Sequence, residues 1–298
     1  MPSSLTPPRQ LRELLERGIV VMPGAFNALS AKLVEASGFP AVYISGAGVT
    51  NAMTGYPDIA LLTLTEMAQQ CKFISHAVRL PCVADADTGY GETHNVMRAV
   101  EELEGAGLAG IHLEDQVAPK RCGHLDGKQV ISPKDMARKI AAAVKARRDP
   151  DFLLIARTDA RAMEGFDAAV ERAQLYLDAG ADAIFPEALE TAEEFGAFAQ
   201  RVKAPLLANM TEFGKSPLLT VNELDALGYR MVIFPMTQLR VMMKAAGQVL
   251  ATIRETGSQR EMLDAMQTRA ELYDLIDYPH YREVDAEIAS LFPGDEPV

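Results

Sequence analysis

Residues 82–114 read CVADADTGYGETHNVMRAVEELEGAGLAGIHLE and contain one complete unit of the pattern that decides the fold. Cys82–Asp87 is a short, mostly apolar run closed by a carboxylate. Thr93–Ala106 carries apolar residues at helical spacing, and Gly110–Glu114 is a second apolar run that again closes in a carboxylate. Such near-continuous apolar runs suit a strand buried on both faces of a parallel sheet. At the helix exit stands Ala106-Gly107-Leu108, where glycine takes the left-handed conformation and turns the chain into the next strand.

The unit recurs along the chain. Strands are predicted at Ile19–Met22, Ala41–Ser45, Cys82–Asp87, Gly110–Glu114, Phe152–Arg157, Ala183–Pro186, Leu206–Asn209 and Met231–Phe234. Helices are predicted at Asn27–Ser37, Thr65–Val78, Thr93–Ala106, Pro133–Arg147, Phe166–Ala179 and Thr191–Val202. Ser37-Gly38-Phe39 and Ala179-Gly180-Ala181 repeat the glycine exit. Eight strand signals at a spacing of roughly 25 to 45 residues match an α/β fold of the (β/α)₈ TIM-barrel type better than a doubly wound sheet. The doubly wound alternative would show G-x-G-x-x-G after an early strand, and Ser45-Gly46-Ala47-Gly48 lacks the third glycine. A single barrel domain is expected over residues 1–298. One helix suffices to close a barrel, so Gln238–Glu255 followed by Arg260–Leu291 is more helix than closure needs. Residues 238–291 are read as a helical extension packing on a neighbouring subunit.

Composition narrows the function classes. The chain has 298 residues, 48% hydrophobic and 23% charged, which is the make-up of a folded soluble protein rather than a disordered one. Lys plus Arg number 29 against 41 Asp plus Glu, a net charge of −12. An acidic surface repels phosphate backbones and anionic lipid, so neither nucleic acid nor membrane is expected as a partner. A small anionic substrate stays open, since a local cluster of Arg with a metal outweighs the mean charge. No run approaches the roughly 20 apolar residues of a membrane span, and Met1–Arg12 has no apolar core of a secretory signal. Cys71, Cys82 and Cys122 are an odd number, which argues against a disulfide framework and for a reducing cytoplasm.

Barrel enzymes place their chemistry at the C-terminal ends of the strands. Those ends supply Ser45-Gly46-Ala47, Asp85-Ala86-Asp87, Glu114-Asp115, Arg157-Thr158-Asp159, Glu187 and Asn209-Met210-Thr211-Glu212. Asp85 and Asp87, two apart, would share one face of a strand, and with Glu114 they make an all-oxygen set suited to Mg²⁺ or Mn²⁺ rather than Zn²⁺. Each Asp alone could equally cap a helix; three carboxylates on adjacent strand ends favour a metal. The segment Asp115–Ser132 is too long for an ordinary connection and is read as a lid. Within it, Lys120-Arg121-Cys122-Gly123-His124 sets a thiol among cations, which lowers a thiol pKa and makes it a usable acid or nucleophile. Cys71 and Cys82 are read as buried small hydrophobes and His112 as a core histidine. Arg157 either makes a salt bridge to Glu187 or Asp159, or holds a substrate carboxylate; Arg240 and Arg269 are open in the same way.

Several of these motifs resemble one known group. Ile44-Ser45-Gly46, Asp85-Ala86-Asp87-Thr88-Gly89-Tyr90-Gly91, Gly110-Ile111-His112-Leu113-Glu114-Asp115-Gln116, Lys120-Arg121-Cys122-Gly123-His124, Ala156-Arg157-Thr158-Asp159-Ala160, Phe185-Pro186-Glu187-Ala188, Asn209-Met210-Thr211-Glu212-Phe213-Gly214 and Met266-Gln267-Thr268-Arg269 run almost end to end. Together they resemble the 2-methylisocitrate lyase branch of the isocitrate lyase/phosphoenolpyruvate mutase superfamily. The cysteine pentapeptide carries the branch assignment, because the mutases, phosphonate hydrolases and oxaloacetate decarboxylases lack that thiol. The resemblance implies a Mg²⁺-dependent cleavage of 2-methylisocitrate to pyruvate and succinate by retro-Claisen or aldol chemistry, in propionate catabolism. Alternatives are a related substituted malate such as 2,3-dimethylmalate or isocitrate, or oxaloacetate decarboxylase or phosphonate mutase activity. It further implies Mg²⁺ on Asp85 and Asp87, with Glu114 reaching it through water, and Cys122, Gly123 and His124 on a mobile lid. Substrate contacts would come from Ser45, Gly46, Ala47, Arg157, Glu187, Asn209, Thr211, Arg240 and Arg269. Asp58 would lie near the reacting hydroxyl and Tyr43 on the same wall, leaving Tyr43, Glu187 and Asp58 as candidate initial bases. The family usually has glycine where Ala47 stands. A homotetramer that exchanges the eighth helix between subunits is also implied.

Overall fold

The structure, a computed structural model, describes residues 5–121, 123 and 127–291. The chain divides into two compact units, Met1–Arg240 and Val241–Val298. The first is built on eight parallel strands: β1 (Val20–Ala25), β2 (Val42–Ile44), β3 (Cys82–Asp85), β4 (Gly110–Glu114), β5 (Leu153–Thr158), β6 (Ala183–Pro186), β7 (Leu207–Asn209) and β8 (Met231–Phe234). They pair in the order β6-β5-β4-β3-β2-β1-β8-β7. A parallel bridge between Ile184 and Leu206 joins the two ends and closes the ring. This is the (β/α)₈ barrel expected from the strand spacing, with helices between successive strands.

Alternation along each strand separates two apolar clusters. Ala41, Tyr43, Val83, Leu153, Ile155, Ala183, Phe185, Leu207, Met231 and Ile233 gather inside the barrel. Val42, Ile44, Cys82, Ala84, Ile111, Leu154, Ala156, Ile184, Ala208 and Val232 face the surrounding helices. Because successive side chains point to opposite faces, the inner register continues upward from these apolar residues into the strand ends. It reaches Asp85 two residues after Val83, Arg157 after Ile155, Glu187 after Phe185 and Asn209 after Leu207. The polar site is therefore the top layer of the same inner face that packs the barrel.

The bottom is covered by a helix that composition did not reveal. Pro7–Arg17 starts on an N-cap, Thr6, whose hydroxyl accepts the amide of Arg9, with proline in the first turn. It inserts Leu11, fully buried, into the inner cluster, with Leu14 and Leu15 packed beside it. A second helix absent from the sequence reading, Gly46–Thr54, begins directly after β2 on Ser45, whose hydroxyl accepts the Gly48 amide. The predicted strand ends also shift. β3 stops at Asp85, and Asp87 has φ 46°, so the two aspartates do not share a strand face; Asp85 Oδ1 instead accepts the Asp87 amide at 2.9 Å and shapes a turn. The glycine exits stand as expected, with φ of 81°, 88° and 104° at Gly38, Gly107 and Gly180.

The helix Thr237–Thr256 follows β8, and after it come a 3₁₀ turn at Arg260–Ala265 and helices Arg269–Leu275 and Tyr278–Ser290. Among the described residues no helix is long and apolar enough to cross a membrane.

Truncating the barrel's lower plug is expected to cost stability. Leu11→Ala removes a fully buried side chain, a change that typically loses about 2–5 kcal/mol, and urea unfolding should show a lower midpoint at unchanged slope.

Candidate active site

The strand ends and their loops enclose a cavity of about 490 Å³, its open mouth included, within the roughly 300–1,000 Å³ of small-molecule clefts. Its lining includes Tyr43 and Ser45 at β2, Asp85 at β3, Arg157 at β5, Phe185 and Glu187 at β6, Asn209 and Thr211 at β7 and Ile233, Pro235 and Met236 at β8. Ala47, Asp58, Lys120, Arg121 and Gly123 complete it from the loops and the helix after β2. Most of the lining is polar or charged, and Phe185, Ile233, Pro235 and Met236 contribute apolar side chains to it.

Burial sets the electrostatics of the floor. Desolvation disfavours a charged carboxylate. It raises Asp85 against the pull of Lys120 and Arg157, lifts Asp87 to about 6 despite Lys120, and holds Glu114 well above the usual range despite Arg157. Lys120 answers them directly: its ammonium lies 2.5 Å from Asp58 Oδ1 and 2.9 Å from Asp87 Oδ1. Burial alone would lower the Lys120 pKa, but Asp87, Asp85 and Asp58 outweigh it and keep the ammonium charged. His112, fully buried, is driven down to about 3 by desolvation and the neighbouring Arg157, so it is neutral. Its Nε2 lies 2.8 Å from the Tyr43 hydroxyl, whose own pKa burial and Asp85 raise well above the ordinary value. The expected core histidine is thus half satisfied: Nδ1 has no partner among the described residues.

Arg157 is the penultimate residue of β5, and its charge is matched by carboxylates. Asp159 receives it through two hydrogen bonds of 2.9 and 3.2 Å, and Glu187 Oε2 and Glu114 Oε2 lie at 3.2 and 3.4 Å. Both salt bridges offered as the structural alternative therefore exist, and the guanidinium still lines the cavity. Asn209 Nδ2 donates to Glu187 at 3.2 Å and ties β7 to the cluster. Gly123 lies against this cluster: a Cβ there would sit 2.4 Å from an Arg157 guanidinium nitrogen and 2.6 Å from Glu187 Cγ. Gly46 is equally tight, with a Cβ placed 2.7 Å from Asp85 Oδ2.

The donor chemistry fits a hard divalent cation. Asp85, Asp87 and Glu114 offer only oxygen, Asp85 and Glu114 are buried and Asp87 is half-buried, and Glu114 Oε1 has no hydrogen-bond partner among the described residues. Among those residues no three His, Cys, Asp or Glu side chains form a preformed cage. That arrangement suits Mg²⁺, which takes one or two carboxylates and completes its shell with water and ligand.

Of the residues singled out from sequence, Tyr43, Ser45, Ala47, Asp58, Asp85, Gly123, Arg157, Glu187, Asn209 and Thr211 line one cavity. Gly46, Asp87 and Glu114 stand behind its wall. Arg240 is not among the lining residues; it pairs with Glu212 at 3.4 Å and lies over the Phe213 ring. Arg269 belongs to the second unit, and Cys122 and His124 lie outside the described residues. Sequence reasoning treated Lys120 only as a cation beside the thiol and missed its bond to Asp58, which is 62 positions away. It also missed the apolar part of the lining, although Phe185 precedes Glu187 by two on the same inner face.

Comparison with known proteins places this geometry. A family model described as phosphoenolpyruvate phosphomutase matches residues 11–254. The 2-methylisocitrate lyase of Aeropyrum pernix is 57% identical over 280 residues, covering 94% of this chain and 90% of that protein. A solved 2,3-dimethylmalate lyase superposes with a TM-score of 0.90 at 34% identity, covering 99% of each chain. A phosphonopyruvate hydrolase solved with oxalate and Mg²⁺ superposes with a TM-score of 0.86 at 33% identity, over 95% of this chain and 99% of that one. The chain belongs to the phosphoenolpyruvate phosphomutase family. Within it the 2-methylisocitrate lyases are its near relatives, and it is an enzyme of the lyase class.

The contact at Gly123 generates a direct test. Gly123→Ala forces either the loop or the Arg157–Glu187 pair to move. A misplacement near 1 Å costs about 10²-fold in rate, so lyase kcat/KM should fall by that order while the thermal midpoint stays nearly constant.

Proposed function

We propose that this lyase cleaves the C2–C3 bond of 2-methylisocitrate, releasing pyruvate and succinate, as a step of propionate catabolism through the methylcitrate cycle. The observation that carries the reading is the cavity itself. It gathers the buried Asp85 carboxylate, the Arg157–Glu187–Asn209 cluster, the apolar side chains of Phe185, Ile233, Pro235 and Met236, and Lys120, Arg121 and Gly123 of the loop around one space. The 2-methylisocitrate lyases among its relatives support it.

Asp85 and Asp87, with Glu114 behind them, would hold Mg²⁺, or Mn²⁺ with the same oxygen donors. When bound, the ion supplies Lewis-acid stabilisation of the oxygen that loses its proton. The chain's own groups do the rest. Tyr43, with its raised pKa, serves as a hydrogen-bond donor at neutral pH, which leaves the carboxylates Asp58 and Glu187 to take the proton of the C2 hydroxyl. Arg157, Arg121 and the first-turn amides at Gly46 and Ala47 stabilise the carboxylates and the negative charge that grows on the succinate fragment. Ser45, Asn209 and Thr211 orient the hydroxyl and carboxylate ends, with Arg240, Arg269 and His124 assigned to substrate by the family resemblance. Cys122, adjacent in sequence to Gly123, delivers a proton to the carbon released from C2. Phe185, Ile233, Pro235 and Met236 receive the substrate's methyl group.

Residues 238–291 are proposed to pack on a neighbouring copy, in a cytoplasmic homotetramer that exchanges the eighth helix. Apolar side chains of the Val241–Val298 unit support this: Val241, Met243 and Leu250 are each nearly two-thirds exposed. Light scattering should return a mass near four times 32.4 kDa; a monomer would refute the assembly.

The activity is tested by steady-state turnover of 2-methylisocitrate, isocitrate and 2,3-dimethylmalate with and without chelator. The first acid should have the highest kcat/KM, chelation should abolish turnover, and Cys122→Ser should lose about 10²–10⁴-fold, as expected for a removed general acid. Activation by Mg²⁺ should weaken as pH drops through about 6, where Asp87 gains its proton. Pyruvate release that survives in Cys122→Ser at the wild-type rate would reject the mechanism.

A further inference from the structure

Lys128 is buried, yet nothing in the chemistry above uses it. Its ammonium donates to the backbone carbonyl of Gly123 and, at 2.8 Å, to Asp159 Oδ1. The far end of this contact is rigid. Asp159 is completely buried and grips Arg157, and its amide donates to Asp115 Oδ1 at 2.9 Å. Asp115 Oδ2 in turn accepts the hydroxyls of Thr158 and Tyr176, each at 2.8 Å. Lys128 thus bridges a fixed point on the barrel to Gly123, where even an added Cβ would press on Arg157 and Glu187.

Nearby contacts organise the same loop. Gln116 holds Arg121 at both its amide and its carbonyl, at 2.9 and 2.8 Å. Lys120 reaches across to Asp58 and Asp87. Gln116 and Lys120 act within the loop or at the cavity floor; Lys128 alone among these joins the Gly123 backbone to the Asp159 anchor. A charge-assisted bond to a carbonyl is about twice as strong as a neutral one, and a buried ammonium left with one acceptor is penalised. Docking of Gly123 is therefore favoured by the same cation that neutralises part of Asp159.

We propose that Lys128 is a positioning residue that latches Gly123, and with it Lys120 and Arg121, into the barrel mouth by joining the Gly123 carbonyl to the Asp159 carboxylate. The structural half of this proposal stands without the assigned reaction; its kinetic consequence rests on the lyase reading. The test compares wild type with Lys128→Met and Lys128→Arg by limited trypsin digestion, reading cleavage after Lys120 and Arg121, alongside kcat, KM and the thermal midpoint. Lys128→Met should be cut at those two sites at least tenfold faster, with kcat down about 10- to 100-fold and a midpoint close to wild type. Lys128→Arg, which keeps the charge, should recover most of both. Where Lys128→Met does not fold, Lys128→Gln, which retains a donor, takes its place and should show an intermediate effect at the same two sites. Unchanged cleavage at Lys120 and Arg121, or cleavage that rises evenly along the chain with a fallen midpoint, overturns the latch. Loop-specific cleavage in a protein inactive on 2-methylisocitrate leaves the latch standing and rejects the substrate instead.

Discussion

At the barrel mouth Arg157, Lys120 and Lys128 are buried among Asp58, Asp85, Asp87, Glu114, Asp159 and Glu187. Removing charges from water is unfavourable unless each finds partners in good geometry, and here the cations are outnumbered two to one. Arg157 and Lys128 satisfy Asp159, whose carboxyl stays low although burial works against it. Desolvation by burial leaves Asp85, Asp87 and Glu114 with raised pKa values, which Lys120 and Arg157 only partly offset. A divalent cation on those oxygens and an anionic substrate beside Arg157 and Arg121, as proposed, would be complementary answers to one imbalance. The rest of the architecture serves to hold that imbalance in place.

The barrel does so through register. β3, β5, β6 and β7 carry apolar residues inward at their lower positions and lead into an inward polar residue at the top, Asp85, Arg157, Glu187 and Asn209, so a close-packed interior fixes the height and direction of those groups. Tyr43 shows how far this reaches. Its ring stacks on His112 at 5.8 Å, His112 meets Phe185 edge-on at 5.3 Å, and the Tyr43 hydroxyl is pinned to His112 Nε2. A phenol held beside a neutral imidazole, its pKa raised by burial and Asp85, keeps its proton at neutral pH. The loop after β4 then supplies what strands cannot: Lys120 and Gly123 enter from above because Lys128 and Gln116 hold the backbone that carries them.

Much of this was legible in residues 82–114 and their counterparts. Unbroken apolar runs mean burial on both faces, glycine exits mean a return to the sheet, and eight such units imply closure. Carboxylates at the ends of β3 and β4 mark the polar rim of the barrel, because polar groups ending an apolar run must face a site or a partner. Two strand readings needed correction for a physical reason. Asp87 looked like the last residue of a strand, but a carboxylate bonding an amide two positions along favours a turn, and that competition is invisible to periodicity. Ser45-Gly46-Ala47 looked like strand end, whereas the serine is an N-cap that starts a helix at once.

Local chemistry along the chain thus determined the fold class and the polar rim of strand-end side chains, because alternation, helical spacing and turn residues act over a few positions. Only the folded barrel decided which charges meet. Lys120 finds Asp58 and Lys128 finds Asp159 across 62 and 31 positions, Arg157 is matched by three carboxylates, and Arg240 pairs with Glu212 and lies over Phe213. Those pairings depend on distances set by closing the sheet and docking a loop over it, and no nearest-neighbour property of the residues encodes them.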